Sequence, residues 1–254
     1  MKQSILKAAA STLDLALVLW PVATVQGAKL RIIAGGGIAG PLNEIAAQFE
    51  RASGHKIVIR YGTAPELIKM ATSGSPFDLG VVPEDVWKDP AARARVASGS
   101  TPNVARVGIG VAVRFGAPKP DISTVEALKQ TLLKAQSIAS ILASATGTLL
   151  SGIYERLGIT DEMKAKTKAL ATTAQIVQAV DSGDAQLAVF ILNVLIDPRL
   201  DVVGPLPAEL QRELVYAAGV AANSKEPEAA NAFLSYLMSS AAIAVIKAKG
   251  MSPG

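Results

Sequence analysis

With 254 residues, 50% of them hydrophobic and 18% charged, the chain can bury a sizeable core, as one large domain or as two lobes of roughly 100 residues each. A formal charge of +4 from scattered basic residues, beside only 4% aromatics, gives no basic stripe with stacking rings and argues against nucleic acid as a partner. The absence of cysteine excludes disulfides and thiolate metal sites, and the single histidine, His55, argues against an imidazole-held metal, so no cofactor is expected.

The N-terminus reads as an export leader over residues 1–27. Lys2 and Lys7 form a basic region, Leu13 to Val22 an apolar stretch, and Thr24-Val25-Gln26-Gly27 a small-residue segment suited to cleavage before Ala28. The apolar run holds Asp14 near its start and is too short to span a bilayer comfortably. Strand and helix then alternate. Leu30 to Ala34 reads as a buried strand, Gly35-Gly36-Gly37 as a tight loop, and Pro41 to Ser53 as a helix with Leu42, Ile45, Ala46 and Phe49 on one face. Strands at 57–59 and 79–82 flank a helix at 64–73, a βαβαβ order that implies parallel strands joined by right-handed crossovers. A long apolar strand at 104–113 is broken by Pro118-Lys119-Pro120. Helices at 125–133, 148–157, 173–181 and 227–238 and strands at 137–142, 187–192, 200–203 and 214–220 complete an α/β chain.

Chemistry-bearing motifs are sparse. His55 lies in the polar turn Gly54-His55-Lys56 and reads as an exposed turn residue, so no Ser-His-Asp set is plausible. Gly35-Gly36-Gly37 lacks both the GxGxxG spacing and the Lys-Ser/Thr of a phosphate loop. It does offer backbone N–H groups at a helix start, where anions bind. Thr63-Ala64 and Ser144 to Gly147 are two more such places, and all three follow strands. Arg114, ending an apolar strand, reads either as a bidentate clamp on a carboxylate or as an arginine paired with Asp121 or Glu209.

From residue 29 to 252 the chain resembles the solute-binding proteins of ABC transporters, within them the molybdate-binding type. The resemblance rests on Ile32-Ile33-Ala34-Gly35-Gly36-Gly37-Ile38, Gly62-Thr63-Ala64-Pro65-Glu66-Leu67, Ser73 to Leu79, Thr146-Gly147 with Leu157-Gly158, Asp181 to Ala185, and Phe233 to Leu237. It implies a two-lobed periplasmic binding protein fold, each lobe a mostly parallel sheet flanked by helices, joined by a two-segment hinge. Lobe one would comprise 29–105 plus 205–254 and lobe two 106–204, closing on a ligand by hinge motion. It further implies a monomer in the periplasm that delivers a small anion to an ABC permease of the inner membrane.

Molybdate binders of this type present serine hydroxyls after the first strand and at the second helix start, and a tyrosine in the second lobe. Here those places read Gly37, Ala64 or Pro65, and Ile191, so three hydroxyl donors are missing. The expected ligand is therefore an oxyanion held by backbone N–H groups, or a small carboxylate. The expected site joins Gly36, Gly37, Thr63 and Ala64 to Arg114, Ser144, Thr146, Gly147 and Asn193. Some relatives with this fold are enzymes, such as aconitate isomerase, which shifts a double bond in a tricarboxylate. That chemistry needs a base beside the carbon acid, for which Glu66, Glu84 and Tyr61 are the candidates.

Overall fold

The computed structural model describes residues 27–99 and 101–254, so all but the last residue of the expected leader lies outside the described residues. Strand β1 (Lys29–Gly35) runs through a one-turn 3-10 segment, Gly36–Ile38, into helix α1 (Ala39–Ser53). Next come β2 (Lys56–Gly62), α2 (Ala64–Thr72), β3 (Leu79–Pro83), the short α3 (Pro90–Arg93) and the long β4 (Asn103–Arg114). The middle of the chain holds α4 (Val125–Lys134), β5 (Ile138–Ser140), α5 (Ala145–Leu157), α6 (Thr160–Lys166), β6 (Thr167–Ala169), α7 (Thr173–Asp181), β7 (Leu187–Ile191), α8 (Leu192–Leu195) and β8 (Leu200–Pro205). β9 (Glu213–Val220), α9 (Pro227–Leu237), α10 (Ser240–Ala248) and β10 (Ser252–Pro253) close it.

The strands form one mixed sheet in the order β2-β1-β3-β9-β4-β7-β5-β6, with β8 and β10 paired to β4 beside this path. At one end β1 pairs in parallel with β2 and β3; at the other β5 pairs in parallel with β6 and β7. The centre is antiparallel, because β9 runs against both β3 and β4, and β4 against β7 and β8. The parallel character expected of each half thus holds at the two flanks. Between them a single strand serves both halves: Asn103–Gly108 of β4 pairs with β9, and Ile109–Ala112 with β7.

Helices cover both faces. α1 turns Leu42, Ile45, Ala46 and Phe49 inward at helical spacing, and Phe49 meets Phe233 and Tyr236 of α9 with ring centroids 5.0 and 5.5 Å apart. Burial of each large apolar side chain is worth about 1.5–3 kcal/mol. Gly54 ends α1 at φ 74°, a left-handed conformation that glycine adopts without strain. A second apolar cluster lies under α4, α5 and α6, and a third joins α2 to Trp87. His55 differs from its expected exposure: it is half-buried, stacks on Phe49 at 5.7 Å, and accepts a hydrogen bond from the Ala28 N–H at 3.0 Å. Among the described residues no single helix is long and apolar enough to cross a membrane.

Candidate functional site

The carboxyl ends of β1, β2 and β5 each turn directly into a helix start, and the short edge strand β6 leads on to α7. These starts converge on a cavity of about 370 Å³ bordered by both halves of the sheet. One side is built by Gly36, Gly37, Thr63 and Ala64, the other by Ser144, Thr146, Thr172 and Thr173. Its apolar wall comes from Ile141, Phe190, Ile191 and Leu214. The volume is at the small end of ligand pockets, which run about 300–1,000 Å³.

Local sequence explains why each helix begins where it does. Ser144 caps α5: its hydroxyl accepts the Gly147 N–H at 3.0 Å and donates to the Ile141 carbonyl at 2.6 Å. The helix starts at Ala145, three residues earlier than the apolar periodicity suggests, which puts Thr146 and Gly147 in its first turn. Thr172 caps α7 in a capping box whose Gln175 accepts the N–H groups of Ala171 and Thr172. At α2 the Thr63 N–H and hydroxyl donate to Glu66 Oε2 at 2.8 and 2.9 Å, so the carboxylate is held against its own helix start. Those bonds from the Thr63 backbone and side chain lower the Glu66 pKa, which weakens it as a base. Burial raises the Tyr61 phenol to about 12, and its hydroxyl donates to Asn43 Oδ1 at 2.7 Å. Glu84 lies away from the cavity, bonded with Asp85 to Lys88 Nζ at 2.8 and 2.7 Å.

Of the residues expected at the site, Gly36, Gly37, Thr63, Ala64, Ser144 and Thr146 line the cavity together. Three do not. Arg114 is exposed at the far end of β4. Because β4 runs antiparallel to β7, with Ala112 opposite Ala188 and Ile109 opposite Ile191, its last residue lies at the amino end of β7, away from the cavity. Gly147 is buried behind the lining with its N–H committed to Ser144, and a β-carbon there would collide with the Leu142 carbonyl. Asn193 lies in a second cavity, of about 400 Å³, on the other side of Gly36 and Gly37. Its Nδ2 donates to the Gly37 carbonyl at 2.8 Å, a direct bond from α8 to the turn before α1.

Two contributors escaped the sequence reading. The start of α7 carries a legible Thr172 cap, but its edge strand β6, Thr-Lys-Ala, has no apolar pattern to mark it as entering a site. Tyr216 of β9 stands opposite Pro83, at the carboxyl end of β3, and is 1% exposed. Burial raises its phenol well above the ordinary range, so it stays protonated. No cationic side chain lines the cavity among the described residues. Charge there must be met by backbone N–H groups, helix starts and hydroxyls.

A family model for bacterial extracellular solute-binding proteins matches residues 30–252. An aconitate isomerase from a Pseudomonas species is 36% identical over 231 residues, covering 88% of this chain and 87% of that protein. The molybdate-binding protein ModA of Azotobacter vinelandii is 27% identical over 231 residues, covering 89% and 90%. Among solved structures, an Azotobacter vinelandii periplasmic molybdate-binding protein superposes with TM-score 0.74 at 21% identity, over 89% of this chain and 99% of that one.

Proposed function

We propose a function that proceeds from one premise: the chain belongs to the bacterial extracellular solute-binding protein family, whose members capture small ligands and work with a membrane permease. On our reading this protein is a periplasmic monomer, exported by its N-terminal leader, that captures a small anion between two lobes, 29–105 plus 205–254 and 106–204. The observation that carries the reading is the convergence of helix starts from both halves of the sheet on one cavity. Each start turns the positive end of a helix dipole towards the cavity, which favours negative oxygen without a cationic side chain, although at α2 the Glu66 carboxylate already takes up part of that field. The molybdate-binding relatives support an oxyanion. The cavity's apolar wall supports a small organic anion equally well.

A second reading, an isomerase acting on an aconitate, is favoured by the 36% identity to a protein of that name across 88% of the chain. The acid-base groups argue against it as the first choice. Glu66 is held below the ordinary carboxylate range, Glu84 is outside the cavity, and Tyr61 titrates at about 12.

The deciding experiment is a thermal-shift panel of the mature protein with molybdate, sulfate, cis-aconitate and trans-aconitate, followed by an isomerisation assay with each aconitate. A ligand at a hundred times its Kd adds about 2.7 kcal/mol, a readily seen rise in melting temperature. A rise without turnover is the expected result. Interconversion of the aconitates would establish the second reading, and no rise with any of the four would overturn the first.

A further inference from the structure

Of the hydroxyls around the cavity, those of Thr172 and Thr173 lie at its exposed and half-buried rim, the first accepting the Gln175 N–H. Those of Thr63 and Ser144 already donate, to Glu66 and to the Ile141 carbonyl, and that of Tyr61 donates to Asn43. Two buried residues remain, Thr146 at 2% exposure and Tyr216 at 1%, whose hydroxyls make no hydrogen bond among the described residues although both line the cavity. The ring of Tyr216 is buried while its hydroxyl, bonded to no other group of the protein among the described residues, opens on the cavity. A ligand oxygen there would supply the acceptor that the protein does not.

The turn opposite is shaped around this phenol. A β-carbon on Gly35 would stand 2.8 Å from Tyr216 Cε1, closer than real carbons approach, and one on Gly37 would collide with both Tyr216 Oη and Ile191 Cδ1. Gly36, by contrast, has open space where its side chain would be. The glycine run is therefore a steric slot for one ring, with the middle residue facing the other way. Positions 37 and 191 carry no hydroxyl of their own, and the Tyr216 hydroxyl lies against the point where a Gly37 β-carbon would stand.

We propose that Tyr216 Oη is a ligand donor on the floor of the cavity, binding an ionised oxygen of a carboxylate or oxyanion, and that Gly37 is without a side chain to admit it. The assignment rests on the reading of this cavity as an anion site. It makes Tyr216 a specificity-determining residue: an uncharged donor beside the Ile191 wall rewards an acceptor oxygen and rejects an apolar group at the same point.

The test uses Tyr216→Phe and Gly37→Ala, singly and together, with titration calorimetry against molybdate, sulfate and the two aconitates. Tyr216→Phe removes one oxygen and keeps the ring, so the ligand-free melting temperature should not fall. Affinity for whichever probe the wild type binds should drop about 10- to 100-fold, the range for a hydrogen bond to a charged group. Gly37→Ala should weaken binding in the wild-type background and do so less in Tyr216→Phe, where the collision with the hydroxyl is gone. Equal affinity of Tyr216→Phe and wild type would overturn the assignment while leaving the anion site intact. A fall in ligand-free melting temperature would show that the hydroxyl serves the fold instead. A wild type silent to all four probes would overturn the anion reading itself, and the assignment with it.

Discussion

Asp78 has no exposed surface, yet it is surrounded by donors. Arg31 Nε and Nη2 reach its two oxygens at 3.0 and 3.1 Å, and the Arg31 N–H and Ser224 hydroxyl add bonds of 2.9 Å each. Burial pushes the carboxyl up, but the bonds from Arg31 and Ser224 outweigh it and leave the pKa below the ordinary value. A folded pKa below the unfolded one means stabilisation that is complete above about pH 4 and lost as the pH falls through the folded value. Asp78→Asn should therefore cost about 2–4 kcal/mol at pH 7 in urea denaturation, with the gap to wild type narrowing near pH 3. A gap that stays constant with pH would show that the charge plays no part. The sequence did not reveal this pair, since 47 residues separate Arg31 from Asp78. It did reveal Gly36, Gly37, Thr63, Ala64, Ser144 and Thr146, because each sits at a strand-to-helix turn whose identity is local. Arg114 and Tyr216 were misplaced or missed for one physical reason: which end of a strand faces the cavity depends on pairing direction, and that direction is a property of the sheet.

Helices and strands with strong periodicity were legible at the scale of the element. α1, α4 and α7 lie within two residues of the sequence reading, as do most of the strands. α6, α8 and β6 were not legible, being four to seven or three residues long with short or mixed patterns, and α10 is a run of small apolar residues with no polar face to set its phase. α5 shows what a cap decides that periodicity does not. Ser144→Ala removes the acceptor for the Gly147 N–H and the donor to the Ile141 carbonyl, which should cost about 1 kcal/mol in chemical denaturation. Because the hydroxyl proton is already engaged within the protein, affinity should fall by less than in Tyr216→Phe. A variant as stable as wild type would show that the cap contributes nothing net.

On the scale of the whole molecule, the two halves meet directly where Asn193 Nδ2 donates to the Gly37 carbonyl. This bond joins residues on opposite sides of the proposed hinge, and on the proposed hinge motion it would break as the cleft opens. Asn193→Ala should lower ligand affinity about 2- to 10-fold, chiefly through faster dissociation, and leave the ligand-free melting temperature nearly unchanged. Stopped-flow dissociation of the bound probe measures it, and an unaltered rate would show that the contact does not hold the cleft closed.

The central strand β4 also bears on how the chain is made. Every strand it pairs with, β7, β8, β9 and β10, lies between residues 187 and 253, downstream of β4 itself. A nascent chain that has passed β4 but not yet reached β9 cannot join β3 to β4, so the sheet stays open until synthesis is nearly over. Such long-range pairing is slow to form. Under the export proposed above, the late arrival of these partners would serve as a built-in delay.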